Sequence, residues 1–177
     1  MNGMIFCAVV MLKKKIMERN DHLNEVLNDL VRINNDRIEG YERAINETKD
    51  RDTDLQAVFH RMADESRQYA SELKNEIRRN GGDEVAEGTT DSGKIYRAWM
   101  DIKAAFTGKG RKSVLENCEF GEDAAQKAYD EALKTDAPLP AEVRQLIVNQ
   151  KTSLKASHDT IKQYRDMERN NDTRRAD

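Results

Sequence analysis

The chain has 177 residues and a formal net charge of −3, from 30 Lys and Arg against 33 Asp and Glu. Charges of both signs are mixed along the sequence, which argues against the basic face of a nucleic-acid-binding protein. Charged residues make up 36% and aromatic residues 6%, and the two prolines, Pro138 and Pro140, stand close together. This composition favours a single helical domain with charged outer faces over a sheet protein.

The first segment, MNGMIFCAVVMLKKKIM, has a short apolar run followed by lysines. A membrane span needs about 20 apolar residues, and a secretory signal places its positive charge before the apolar run. We therefore expect residues 1–17 to be an N-terminal extension outside the fold, with no membrane partner. The two cysteines, Cys7 and Cys118, form no disulfide framework or CxxC motif, so we expect a cytoplasmic location.

Apolar residues at helical spacing predict four long helices. They cover about Asp21 to Glu47, Thr53 to Arg79, Arg111 to Lys134, and Pro140 to Met167. The domain boundaries that follow are 18–168 for the bundle and 169–177 for a disordered tail.

The connection between the second and third helices, residues 80–110, is long enough to travel the length of a bundle. It contains a predicted short helix around Trp99. Short turns join the helices within each half, so each half is an antiparallel hairpin. A long central crossover is typical of ferritin-like bundles, and we expect an all-α, ferritin-like four-helix bundle in which the helices run up, down, down and up.

Polar residues on the apolar faces suggest a site. Glu42, Glu122 and His158 each follow one apolar residue by four positions and precede another by three, while Glu65 lies at the edge of its face. In the expected topology, these four residues lie at similar depths. A divalent cation would neutralise carboxylates clustered in an apolar core, and iron or manganese suits oxygen and imidazole ligands. Protonation, or pairing with Lys155 or Arg61, would also relieve the repulsion.

The sequence departs from the pattern of a two-metal site, which needs Glu-x-x-His on each of two helices. The chain has Lys155-Ala-Ser-His158 and Glu65-Ser-Arg-Gln68 in those places. A single metal, or a salt-bridged core with none, fits this pattern better. We expect Cys118 to be a small buried hydrophobe, and we consider Asn34 and Asn35 as groups that hydrogen-bond across the bundle.

Four stretches resemble an uncharacterised bacterial family of ferritin-like bundle proteins, classed as a domain of unknown function. They are LNDLVRINNDRIEGYERA, FHRMADESRQYASELKNEIRRNGG, RAWMDIKAAFTGKGRKSVLENCEFGEDAAQKAYDEAL and LKASHDTIKQYRDM, and the resemblance covers about residues 21–166. The resemblance implies the ferritin-like fold but no reaction. Ferritin, bacterioferritin and rubrerythrin use carboxylate-bridged di-iron sites, a pattern that carries over incompletely to Glu42, Glu65, Glu122 and His158.

Two functions follow as hypotheses. The first is a metal-binding bundle for metal handling or oxidative-stress protection, with Glu42, Glu65, Glu122 and His158 as ligands of iron or manganese. The second is a non-catalytic structural or stress-associated bundle with a salt-bridged polar layer and no metal. No nucleophile–base pair in the sequence supports catalysis without a metal. Whether the protein is an enzyme that uses a metal is left open. A homo-oligomer, such as a dimer, is also left open.

Overall fold

The structure is a computed structural model that describes residues 2–48, 52–82 and 111–176. This part of the chain contains four helices and no strand. The helices are α1 (Asn2–Glu47), α2 (Thr53–Arg79), α3 (Arg111–Leu133) and α4 (Ala141–Ala176). The predicted all-α four-helix bundle is therefore confirmed. The predicted helix around Trp99 lies outside the described residues.

Two helices are longer than the sequence pattern predicts. α1 begins at Asn2 rather than near Asp21, and α4 continues past Met167 to Ala176. The added segments contain no proline and are rich in residues that favour helix. The division into an extension, a bundle and a tail stays a prediction.

The helices of each hairpin run antiparallel. Contacts move up one helix as they move down the other: Asn20–Asn80 and Arg37–Ser66 in the first hairpin, and Asp130–Lys151 and Glu116–Arg169 in the second. At the end of α2, Gly81 has a φ of 73°. The N–H groups of Gly81 and Gly82 donate to the carbonyls of Arg78 and Ile77 at 3.0 Å, which closes the helix as a Schellman motif.

The two hairpins pack with α1 against α3 and α2 against α4. Asn34 contacts Tyr129 and Arg37 contacts Glu122, so α1 and α3 also run antiparallel. The four helices therefore run up, down, down and up, which is the expected order. Within the described residues, no helix has an apolar segment long enough to cross a membrane.

The buried apolar side chains form two clusters. The large cluster includes Leu27, Leu30, Leu73, Tyr129 and Ile147, which come from all four helices. The small cluster consists of Tyr41, Ala44, Leu55, Phe59, Met62, Ala63, Val114, Leu115 and Ile161, at the end of the bundle where α1 finishes and α2 begins. What separates the clusters is a layer of polar residues.

Candidate functional site

Every helix places a buried polar residue between the two apolar clusters. These residues, called here the polar belt, are Asn34 and Arg37 on α1, Ser66 on α2, Glu122 on α3 and Ser157 on α4. Each belt residue is separated by a few positions from large-cluster residues on one side and small-cluster residues on the other. The belt is the candidate site, because buried charges inside a bundle are costly unless they are paired.

The centre of the belt is an ion pair between α1 and α3. One guanidinium nitrogen of Arg37 donates to Oε1 of Glu122 at 2.5 Å, and the two side chains are 2% and 1% exposed. A second nitrogen of Arg37 donates to Oγ of Ser66 on α2 at 2.6 Å. The hydroxyl of Tyr41 donates to the same oxygen of Glu122. Three helices are thus joined through one guanidinium and one carboxylate.

The charge balance of this pair shifts the pKa of its neighbours. Burial is the largest single influence on the pKa of Arg37, and it lowers that pKa. The attraction of Glu122 acts in the opposite direction, and Tyr41 and the hydrogen bond to Glu122 add to it. Together these contributions outweigh burial, so the pKa of Arg37 is raised. Burial, followed by the negative charge of Glu122, raises the pKa of the Tyr41 hydroxyl well above its usual value. Tyr41 is therefore held as a neutral hydrogen-bond donor. Its ring also lies 5.6 Å from the guanidinium carbon of Arg37, within the range of a cation–π contact.

A second buried network links all four helices next to the ion pair. Nδ2 of Asn34 donates to the hydroxyl of Tyr129 at 2.8 Å, and that hydroxyl donates to Oε1 of Gln150 at 2.9 Å. Nε2 of Gln150 in turn donates to Oε2 of Glu72 at 2.8 Å. The chain of bonds runs from α1 through α3 and α4 to α2. The expected cross-bundle hydrogen bond of Asn34 is confirmed, whereas Asn35 is exposed.

Three of the four predicted metal ligands, Glu42, Glu65 and His158, lie apart from the ion pair. Glu42 is exposed over 53% of its side chain and pairs with Arg67 on the protein surface. Glu65 is half-buried, accepts a hydrogen bond from Oγ of Ser157 at 3.0 Å, and lies 3.9 Å from Nε of Arg61.

His158 occupies the groove between α3 and α4 rather than the core. Its Nε2 lies 3.0 Å from Oδ1 of Asp123, and its Nδ1 lies 3.0 Å from Oδ1 of Asp159. Lys155 pairs with Asp159 at 2.9 Å, not with the belt. The hydrogen bonds from Lys155 and His158 lower the pKa of Asp159. Each of the four predicted ligands therefore has polar partners of its own.

The expected inward direction of Glu42 is wrong because Ile38 and Ile45, the apolar residues four positions before it and three after it, are only half-buried. The centre of the buried face follows Leu30, Asn34, Arg37, Tyr41 and Ala44, whereas Ile38 is only half-buried. A rotation of 100° per residue carries Glu42, directly after Tyr41, away from the core.

Sequence reasoning missed Arg37, the partner of Glu122. Its sequence signal was the spacing of three and four that places Arg37 in line with Leu30, Asn34 and Tyr41. An arginine is almost never fully buried unless it is paired, so an arginine at a core position predicts a buried carboxylate nearby. Glu122, one of the predicted site residues, is that carboxylate.

The donor set of the belt does not fit a metal centre. Arg37 places a positive charge and no acceptor against Glu122, so a cation bound there would be repelled. Oε2 of Glu122 makes no hydrogen bond to the described residues, and it is the one oxygen of this carboxylate left for another group. In the described ranges, no group of three or more His, Cys, Asp or Glu side chains is placed to hold a metal ion.

A family model described as "Domain of unknown function (DUF2383)" matches residues 22–135, well over half of the chain. The matched region contains the whole of the Arg37–Glu122 ion pair with Ser66 and Tyr41, but not α4. A comparison with curated proteins finds no match.

Proposed function

This chain belongs to the DUF2383 family of unknown function, and we propose that it is a non-catalytic structural bundle protein whose buried polar belt fixes the register of its helices. The observation that carries the proposal is the 2.5 Å contact between Arg37 and Glu122, the two charges at the centre of the belt. A shift of α1 against α3 by one turn would move these charges about 5.4 Å apart along the axis. Each charge would then be buried without its partner.

Buried ion pairs are better suited to this role than to stability alone. Replacing such a pair with apolar side chains of similar volume is often neutral or stabilising, whereas removal of one partner is strongly destabilising. An asparagine inside a helical bundle can specify register in the same way, and Asn34 lies one turn from Arg37. The belt therefore supports a role in selecting one arrangement of the helices.

Metal handling or oxidative-stress protection is the second candidate. One observation favours it: Oε2 of Glu122 has no hydrogen-bond partner among the described residues. Iron or manganese would need further ligands from Glu42, Glu65 or His158. The present contacts of those three side chains would have to break first.

The same proposal includes the fold classification, the cellular location and the absence of nucleic-acid binding. The up-down-down-up order of the helices supports a ferritin-like classification. The cysteine usage supports a cytoplasmic location, and the mixed surface charge supports a protein that does not bind nucleic acid. Either candidate function is compatible with a homo-oligomer and with a stress-associated role.

Metal loading separates the two candidate functions. We expect wild-type protein incubated with Fe(II) or Mn(II), then desalted, to keep far less than one equivalent of metal by elemental analysis. We also expect its midpoint of thermal unfolding to be unchanged by the metal. One retained equivalent in the wild type, lost in Glu122→Gln but kept in the Arg67→Gln control, would establish the metal centre and refute the structural proposal.

The register role is tested by replacing both charges at once. In Arg37→Met/Glu122→Leu, we expect a folded bundle with several distances between spin labels at the exposed positions Asn35 on α1 and Lys127 on α3. The wild-type belt should give one narrow distance distribution. A single unchanged distance in the double variant would show that the apolar core alone sets the register.

A matched control uses the exposed pair. Glu42→Leu/Arg67→Met removes an ion pair between α1 and α2 on the surface, and it should leave the distance distribution narrow. The labelled proteins need Cys7→Ala and Cys118→Ala, so all three are compared in that background.

A further inference from the structure

The polar belt crosses the whole bundle and divides its apolar core into two clusters. On α2, the small cluster ends at Ala63, the belt residue is Ser66, and the large cluster begins at Tyr69. On α4, the order is reversed, with Leu154, Ser157 and Ile161 in turn. The same separation occurs on α1 and α3, so the two clusters belong to opposite ends of one molecule.

Apolar burial stabilises each end mainly through its own cluster. The free energy gained by burial is roughly proportional to the apolar area removed from water, and the belt interrupts that area on all four helices. The belt residues add hydrogen bonds, but the net contribution of each is reduced because it replaces a hydrogen bond to water in the unfolded chain. Cooperative coupling between the two ends is therefore weaker than coupling within either end.

We infer that the bundle consists of two cooperative units, and that the small-cluster end opens while the large-cluster end stays folded. The described part of the large cluster contains about twice as many buried apolar residues as the small one. The small-cluster end also contains the end of α1 and the starts of α2 and α3. Opening of this end exposes Phe59 and the Arg37–Glu122 pair to solvent without loss of the remaining core.

Native-state hydrogen exchange with mass spectrometry tests the inference on the full chain. In the wild type, amides of 55–63 should exchange together and faster, after correction for intrinsic rates, than amides of 69–77 on the same helix. A single common protection factor for both stretches would contradict the two-unit inference directly.

Two matched variants on α4 give the stronger test. Ile147 belongs to the large cluster, Ile161 belongs to the small cluster, and both side chains are 0% exposed. Ile147→Val should lower protection about 3- to 10-fold in 69–77 and leave 55–63 unchanged, because opening of the small-cluster end does not expose Ile147. Ile161→Val should lower protection in both stretches, since complete unfolding includes opening of the small-cluster end.

The outcomes divide clearly. An equal loss of protection in both stretches for Ile147→Val would mean that the bundle is one unit. Loss confined to 69–77 in that variant, with loss in both stretches for Ile161→Val, supports two units. The conservative change from Ile to Val removes one methylene group, so both variants are expected to fold.

Discussion

Oε1 of Glu122 accepts hydrogen bonds from both Arg37 and Tyr41, and this double acceptance makes the residue difficult to replace. A neutral side chain of the same shape still accepts a hydrogen bond, but it no longer balances the guanidinium. Among the described residues, Glu122 is the carboxylate that balances the charge of Arg37. The charge of Glu122 therefore matters more than its volume.

We therefore expect Glu122→Gln to lower the free energy of unfolding by about 3–5 kcal/mol, since it leaves a buried charge without its partner. Urea denaturation at pH 7 measures this difference. Glu42→Gln, which disrupts the exposed pair with Arg67, is the control and should change the free energy by about 1 kcal/mol or less. Similar effects of the two variants would show that the buried pair has no special energetic role.

Tyr129 is the centre of the second network, because its hydroxyl both accepts a bond from Asn34 and donates one to Gln150. Tyr129→Phe should reduce the free energy of unfolding by about 1–3 kcal/mol, because two buried amide groups each lose a partner. Thermal or urea unfolding checks this prediction. Tyr164→Phe, at a half-buried position of α4, should have the smaller effect, and the reverse order would contradict the importance of the network.

At the scale of the helix, sequence periodicity predicted α2 and α3 well but misplaced the centre of the buried face of α1. The apolar pattern of this helix includes Ile38 and Ile45, which are only half-buried. The buried face instead contains Asn34 and Arg37 between Leu30 and Tyr41, and an apolar pattern does not include these two polar residues. Helical spacing places Arg37 in line with Leu30 and Tyr41, but its partner Glu122 is distant in sequence, and the contact is evident only when the helices are packed.

The α3–α4 interface contains a regular series of contacts between basic and acidic side chains along its length. Lys151, His158 and Arg165 recur every seven residues on α4 and contact Asp130, Asp123 and Glu119 of α3, respectively. Seven residues are close to two helical turns, so the contacts fall on one side of the interface. The sequence shows this repeat, although it does not show which acidic residue each base contacts.

Exchange of the charges in one pair tests this series. Asp130→Lys and Lys151→Asp should each destabilise the protein, and the double variant should recover about 0.5–1 kcal/mol relative to the sum of the single effects. Denaturation of all four proteins completes the cycle. The coupling should shrink in 1 M NaCl, where the screening length is about 3 Å; a coupling insensitive to salt would mean that electrostatic attraction is not its source.

For the molecule as a whole, the buried hydroxyl of Tyr41 makes stability depend on pH in the alkaline range. Burial, then the charge of Glu122, raises the pKa of Tyr41 above the ordinary value of 10.0, whereas the unfolded chain ionises near that value. The unfolded state therefore loses its proton first as the pH rises. The contribution of Tyr41 to stability is complete below pH 10 and is lost progressively above it.

Tyr41→Phe should consequently flatten the decline of the unfolding free energy above pH 10 by up to about 1.4 kcal/mol per pH unit. Urea denaturation at several pH values between 7 and 11 measures the slopes of both proteins. Below pH 9 the slopes should agree, whatever the difference in absolute stability. Equal slopes above pH 10 would show that Tyr41 ionises alike in the folded and unfolded chains.

The charges of the central ion pair are divided between the two hairpins, with Arg37 in the first and Glu122 in the second. A first hairpin that paired with another copy of itself would bring two guanidinium groups together, and two second hairpins would bring two carboxylates together. Both mistakes place like charges in an apolar interior. During synthesis, when many copies of the first hairpin emerge before their second halves, this arrangement disfavours the pairing of two first hairpins and leaves their apolar faces available to a second hairpin.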